Sequence, residues 1–145
     1  MNSLHVARFT VAYWCVFVAV LLPLVCAWLA KSGGFGKPRR EGGYDNHDPR
    51  AWLARQTGFR ARANAAQANC FEAFPFFAVG VVLALLTGVD PWLVNLLAVL
   101  FVAARLAFVA CYLADKATFR TIFWTLGYVT VVALIVLAMM NLQIS

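Results

Sequence analysis

Charge is scarce in this chain, and acidic charge scarcer still. Asp, Glu, Lys and Arg make up 12% of its 145 residues, only six of them acidic, against 63% hydrophobic residues. That composition leaves too little polar surface for a soluble domain and reads as an integral membrane protein. Histidine is limited to His5 and His47, both outside the apolar runs, which argues against a bis-histidine haem in the membrane. The four cysteines, Cys15, Cys26, Cys70 and Cys111, form no C-x-x-C pair. They read as small apolar fillers, not as a disulfide framework or metal ligands, and no metal site is expected. Gly36-Lys37 is followed by Pro38, so no phosphate-binding P-loop signature is present. No DNA- or RNA-binding motif appears, and nucleic acid is not an expected partner.

What the chain does have is length of apolar sequence. Four stretches suffice to cross a bilayer, which takes about 20 residues each. They predict helices over about 9–30, 50–87, 91–114 and 120–142 in one domain, 1–145. The first is too long and too rich in Trp and Tyr for a cleaved signal peptide. Asp48-Pro49 has the form of a helix start, with Asp as N-cap and Pro at the first position. Gly88-Val89-Asp90-Pro91 predicts a tight turn capped by Asp90. The segment 32–48 is rich in Gly and Pro and is expected to be irregular. One long and two short connections give an all-α, antiparallel four-helix transmembrane bundle.

Positive charge is concentrated. Residues 31–62 hold eight of the twelve Lys and Arg, whereas the connection 87–90 holds none. By the positive-inside rule the first and third connections are cytoplasmic and both termini lie on the far side.

Two charges sit where the membrane should exclude them. Glu72 begins an apolar run, and Arg105 lies inside the third span. On a helix Arg62, Asn69, Glu72 and Phe76 share a stripe. Arg105 and Tyr112 share another. Glu72 lies fifteen residues before Thr87 and Arg105 fourteen after Pro91. At ~1.5 Å per residue both lie about 21–23 Å from the shared turn. The expectation is a direct Glu72–Arg105 ion pair, since either charge alone would be stranded. Pro75 lies one turn past Phe71, whose carbonyl it deprives of a partner, and predicts a kink beside that pair. Arg120, Trp124 and Tyr128 are spaced by four and share a face. They read either as a snorkelling arginine in an interfacial aromatic belt or as part of a site.

The pattern Arg62-x6-Asn69-x2-Glu72-x2-Pro75-Phe76, then Arg105-x6-Tyr112 and Arg120-Thr121, resembles the MAPEG family, the membrane-associated proteins in eicosanoid and glutathione metabolism. The resemblance spans most of the chain. It implies a homotrimer with glutathione as co-substrate, bound between subunits near the cytoplasmic side. Arg62, Asn69, Glu72, Arg105 and Tyr112 match positions that hold glutathione or support its site. Arg120 matches the arginine that stabilises the glutathione thiolate and is the expected catalytic residue. Trp124, beside it, is counted with the glutathione-binding candidates, and with Tyr128 would line the path of an electrophile from the lipid. Ala65 and Ala68 stand where eukaryotic members carry basic residues. That implies a bacterial-type member, placed in the inner membrane with both termini periplasmic.

The functional expectation is a glutathione-dependent transferase or peroxidase acting on lipophilic electrophiles. Two alternatives stand beside it. One is a non-enzymatic MAPEG-like protein that binds lipid. The other is a small multidrug-type transporter in which a membrane carboxylate couples protons to a cation.

Overall fold

A computed structural model describes residues 3–144, with side-chain surroundings described for residues 11–142. Helix α1 is Ser3–Lys31, followed by a 3₁₀ turn at Arg39–Glu41 and a short helix α2, Pro49–Ala54. Three long helices follow: α3, Gly58–Leu86, α4, Pro91–Leu113, and α5, Ala117–Ile144. Helices α1, α3, α4 and α5 each contain a span apolar and long enough to cross a bilayer. The protein is an integral membrane protein built as a four-helix bundle. Helix α1 packs on α3 and α4, and α5 packs on α4 and α3, which puts α1 and α5 at opposite corners.

Small residues at helical spacing let these helices approach closely. On α3 the inward stripe is Ala63, Ala66, Cys70, Ala73, Phe77, Val81 and Ala84. On α1 it includes Ala12, Cys15, Ala19, Cys26 and Ala30. In lipid, such stripes replace the hydrophobic drive with van der Waals contact. The centre is filled by Phe77 of α3 stacked on Phe101 of α4, centroids 3.9 Å apart.

Helix ends follow their caps. The Asp48 carboxylate accepts from Ala51 N at 3.1 Å and the Asp90 carboxylate from Trp92 N at 3.0 Å, each with Pro at the first helical position. The sequence pattern predicts one helix from 50 to 87, but the chain breaks at residues 55–57. Thr57 is extended and Gly58 has φ +59°, a left-handed conformation that glycine adopts without penalty. Helix α3 runs through Pro75 as one helix.

The connection 32–57 has little regular structure but is tightly packed. Tyr44 sits edge-on between Phe35 and Trp52, at 5.8 and 5.2 Å. Trp52 is 3% exposed and donates Nε1–H to Gly42 O at 3.3 Å. A Cβ at Gly34 would lie 2.5 Å from the Trp52 ring, so the tryptophan needs glycine there.

Candidate functional site

At the end of the bundle that carries this basic connection, three helices converge on a cavity of about 210 Å³. Asn69 comes from α3, Phe108 and Tyr112 from α4, and Arg120, Thr121 and Trp124 from α5. Each set obeys helical spacing, so ordinary i, i+3 and i, i+4 geometry brings it to one side.

Behind Asn69 and Phe108 of this lining, and not itself part of it, lies Arg105, 3% exposed. Its Nη2 donates to Asn69 Oδ1 at 2.8 Å and to Cys70 Sγ at 3.5 Å. Its guanidinium lies over the Phe108 ring, 4.2 Å from the centroid. Its Nη1 is buried with no protein acceptor. A charged donor left so is costly, of order 1–3 kcal/mol or more. Arg120 mirrors the arrangement, with Cζ 4.4 Å from the centroid of Tyr112. Phe108 and Tyr112 meet edge-to-face at 5.4 Å. Two cations thus flank two contacting rings, and positive potential gathers around one small cavity. The two cations favour an anion there, while the ring faces are taken up by the guanidinium groups.

The expected Glu72–Arg105 ion pair does not form; Asn69 stands between the two charges. Its Oδ1 accepts from Arg105, and its Nδ2 donates to Glu72 Oε2 at a longer 3.4 Å. The two residues point to different faces, which is why no direct pair forms. Cys70 and Ala73 face the core; Glu72, two residues past Cys70, is turned about 200° away. It is exposed on the outer side of the bundle.

Arg62 does not line the cavity either. Its Nε donates to Leu113 O at 3.2 Å, and its Nη1 lies 3.8 Å from Asp115. It thereby caps the carboxyl end of α4, where orphan carbonyls and the helix dipole favour a cation. Trp124 stays in the lining, half-exposed and tilted against Tyr128 at 4.5 Å.

Sequence reasoning missed Phe108 and Cys70. Phe108 shares the stripe of Arg105 and Tyr112, three and four residues from them, which is the signal that could have found it. Cys70 was read as filler, yet it accepts a hydrogen bond from Arg105. Among the described residues no cluster of His, Cys, Asp and Glu is placed to hold a metal ion.

Among known protein families, the model described as MAPEG family matches residues 11–140. No curated protein matches the chain.

Proposed function

The chain belongs to the MAPEG family, and from that premise we propose that it is a membrane glutathione transferase acting on lipophilic electrophiles. Membership supports the coarser statement directly, that this is a membrane protein of glutathione or eicosanoid metabolism. The observation that carries the finer reading is the cavity that gathers Asn69, Tyr112, Arg120 and Trp124, with Arg105 buried beside it and one of its donors unused.

Glutathione brings two carboxylates, one ammonium and a thiol. Arg105 and Arg120 supply cationic donors for anionic groups, and Glu72 supplies an acceptor for the ammonium. Arg62 stands at the same end, where it orders the mouth of the site through α4. A thiol ionises near pH ~8.5, and a nearby guanidinium lowers that value by favouring the thiolate. Arginine stays protonated at neutral pH, so Arg120 acts by its field and the proton passes to water. The thiolate then attacks an electrophilic carbon arriving from the lipid past Trp124 and Tyr128. A carbon–sulfur bond forms and the leaving group departs with the electron pair.

The site is completed, in this reading, by a second copy of the chain in a homotrimer. A cavity of about 210 Å³ is small beside sites that engulf drug-sized ligands, about 300–1,000 Å³. Glu72 and Phe76 are exposed on α3 within a span. A carboxylate facing lipid there is costly, and a neighbouring subunit would cover it. The basic connection 31–62 supports a cytoplasmic location for this end of the bundle in a bacterial inner membrane.

The test is conjugation of glutathione to a chlorinated aromatic by purified protein, with and without Arg120→Ala. Activity that disappears in the variant supports the reading. Glutathione binding without turnover on a broad electrophile panel would favour the non-enzymatic lipid-binding reading.

A further inference from the structure

Away from this cavity, charge is concentrated in the packed connection between α1 and α3. Residues 32–57 carry five Lys and Arg against three Asp and Glu. A recess of about 290 Å³ opens in it, lined by Arg39, Gly43, Asp45, Trp52, Arg55 and Gln56. The recess is built, not incidental. Gln56 Nε2 donates to Trp52 O at 3.0 Å, and Trp52 donates in turn to Gly42 O. Gly43 N donates to Pro38 O at 3.0 Å, and a Cβ at Gly43 would fall 1.9 Å from Lys37 O.

The two arginines of the recess differ in state. Arg39 Nη2 lies 3.2 Å from Asp45 Oδ1, so its charge is answered. The amide of His47, and after it Arg39, holds the Asp45 carboxyl below its usual range. Arg55 is exposed, and among the described residues no acceptor engages its guanidinium. It supplies the free positive charge of the recess, and exposed Lys37 and Arg50 on the same connection add to the field, whereas Arg40 lies 3.8 Å from Glu41.

Place decides what anion this is. Phe35, 55% exposed, stands on the connection itself, and Trp28, 76% exposed, on the last turns of α1 beneath it. Exposed aromatic residues beside clustered cations mark the level of lipid headgroups. Clusters of four to eight basic residues next to a membrane span attract anionic lipid in the same way.

We propose that this recess binds the phosphate of an anionic phospholipid headgroup, with Arg55 as the principal contact. The lipid would fasten the connection to the bilayer surface at the end of the bundle that holds the cavity. The proposal does not depend on glutathione chemistry.

The test is native mass spectrometry of the full chain in detergent, titrated with phosphatidylglycerol or phosphatidylcholine. Wild type should retain phosphatidylglycerol in preference, one molecule per chain. Arg55→Gln should cut that preference about fivefold, the size for one arginine near a membrane surface. Adding Arg39→Gln should remove most of the remainder. Arg50→Gln, outside the recess, should leave most of it intact. Equal retention of both lipids would overturn the proposal. So would equal loss in Arg50→Gln, which would reduce the effect to a diffuse surface potential. Displacement of the lipid by millimolar inorganic phosphate would also overturn it, in favour of a soluble anion site. Arg55→Gln removes only an exposed group, so loss of binding there is not loss of fold.

Discussion

Arg105 donates from Nη2 to Asn69 Oδ1 at 2.8 Å, so an uncharged amide, not a carboxylate, is the first answer to a guanidinium that is 3% exposed. The consequence is a polar relay, Arg105 to Asn69 to Glu72, that runs from the core to the outer face of α3. The inner end is fixed by protein. The outer end is the exposed Glu72 carboxylate.

The relay separates stability from binding. Asn69→Leu should destabilise the bundle by about 2 kcal/mol, because a hydrogen bond to a charged group is lost and its donor stays buried. Glu72→Gln should change single-chain stability by less than ~1 kcal/mol, since the group is exposed. It should instead weaken glutathione binding several-fold. Thermal unfolding in detergent and a glutathione titration, run on both variants, check the split. Equal destabilisation by the two variants would contradict it.

Arg62 is expected to act through structure. Arg62→Ala removes the donor to Leu113 O and a loose pair with Asp115, 72% exposed. The loss should be about 1–2 kcal/mol, most of it from the helix-end hydrogen bond and little from the exposed ion pair. Hydrogen exchange at the α4–α5 connection should rise in the variant. An unchanged exchange rate there would show that the cap is idle.

Glu72 should be buried against a second subunit. A cysteine placed at Glu72 or Phe76 should react slowly with a bulky maleimide in the assembled protein and quickly after dissociation. Crosslinking should give a three-chain species. Fast labelling in the intact assembly would leave Glu72 facing lipid and remove the support for a shared site.

The fold was readable because its signals are large. Four long apolar runs, Asp-Pro starts at residues 48–49 and 90–91, and a turn at Gly88 set the bundle. The break before Gly58 was present as Gln56-Thr57-Gly58, but the polar residues around it kept helical periodicity and hid it. The site was readable in membership more than in contact. Counting residues places Glu72 and Arg105 at one depth. It does not say which way each points, and a rotation of about 200° from Cys70 separates a core position from an exposed one. Arg62 matched a binding motif while its side chain turned to the nearest unpaired carbonyls. The order within 32–57 could not be read, because it rests on aromatic contacts among Phe35, Tyr44 and Trp52 with no period to reveal them.

Trp124 should govern the lipophilic partner. It is half-exposed beside Arg120 in the cavity lining, and its ring meets Tyr128 at 4.5 Å. Trp124→Ala should raise KM for a hydrophobic electrophile several-fold and leave the thiolate signal of bound glutathione near wild type. A change in glutathione affinity equal to the change in KM would instead place the ring against the cofactor.

In the proposed mechanism the Arg120 field, acting beside Tyr112, holds glutathione as its thiolate. The most direct measurement is a glutathione titration of the purified protein in detergent, followed by thiolate absorbance at neutral pH. Wild type should show saturable binding with a thiolate band, and Arg120→Ala binding with little or no band. Binding of glutathione by wild type as the neutral thiol would contradict it.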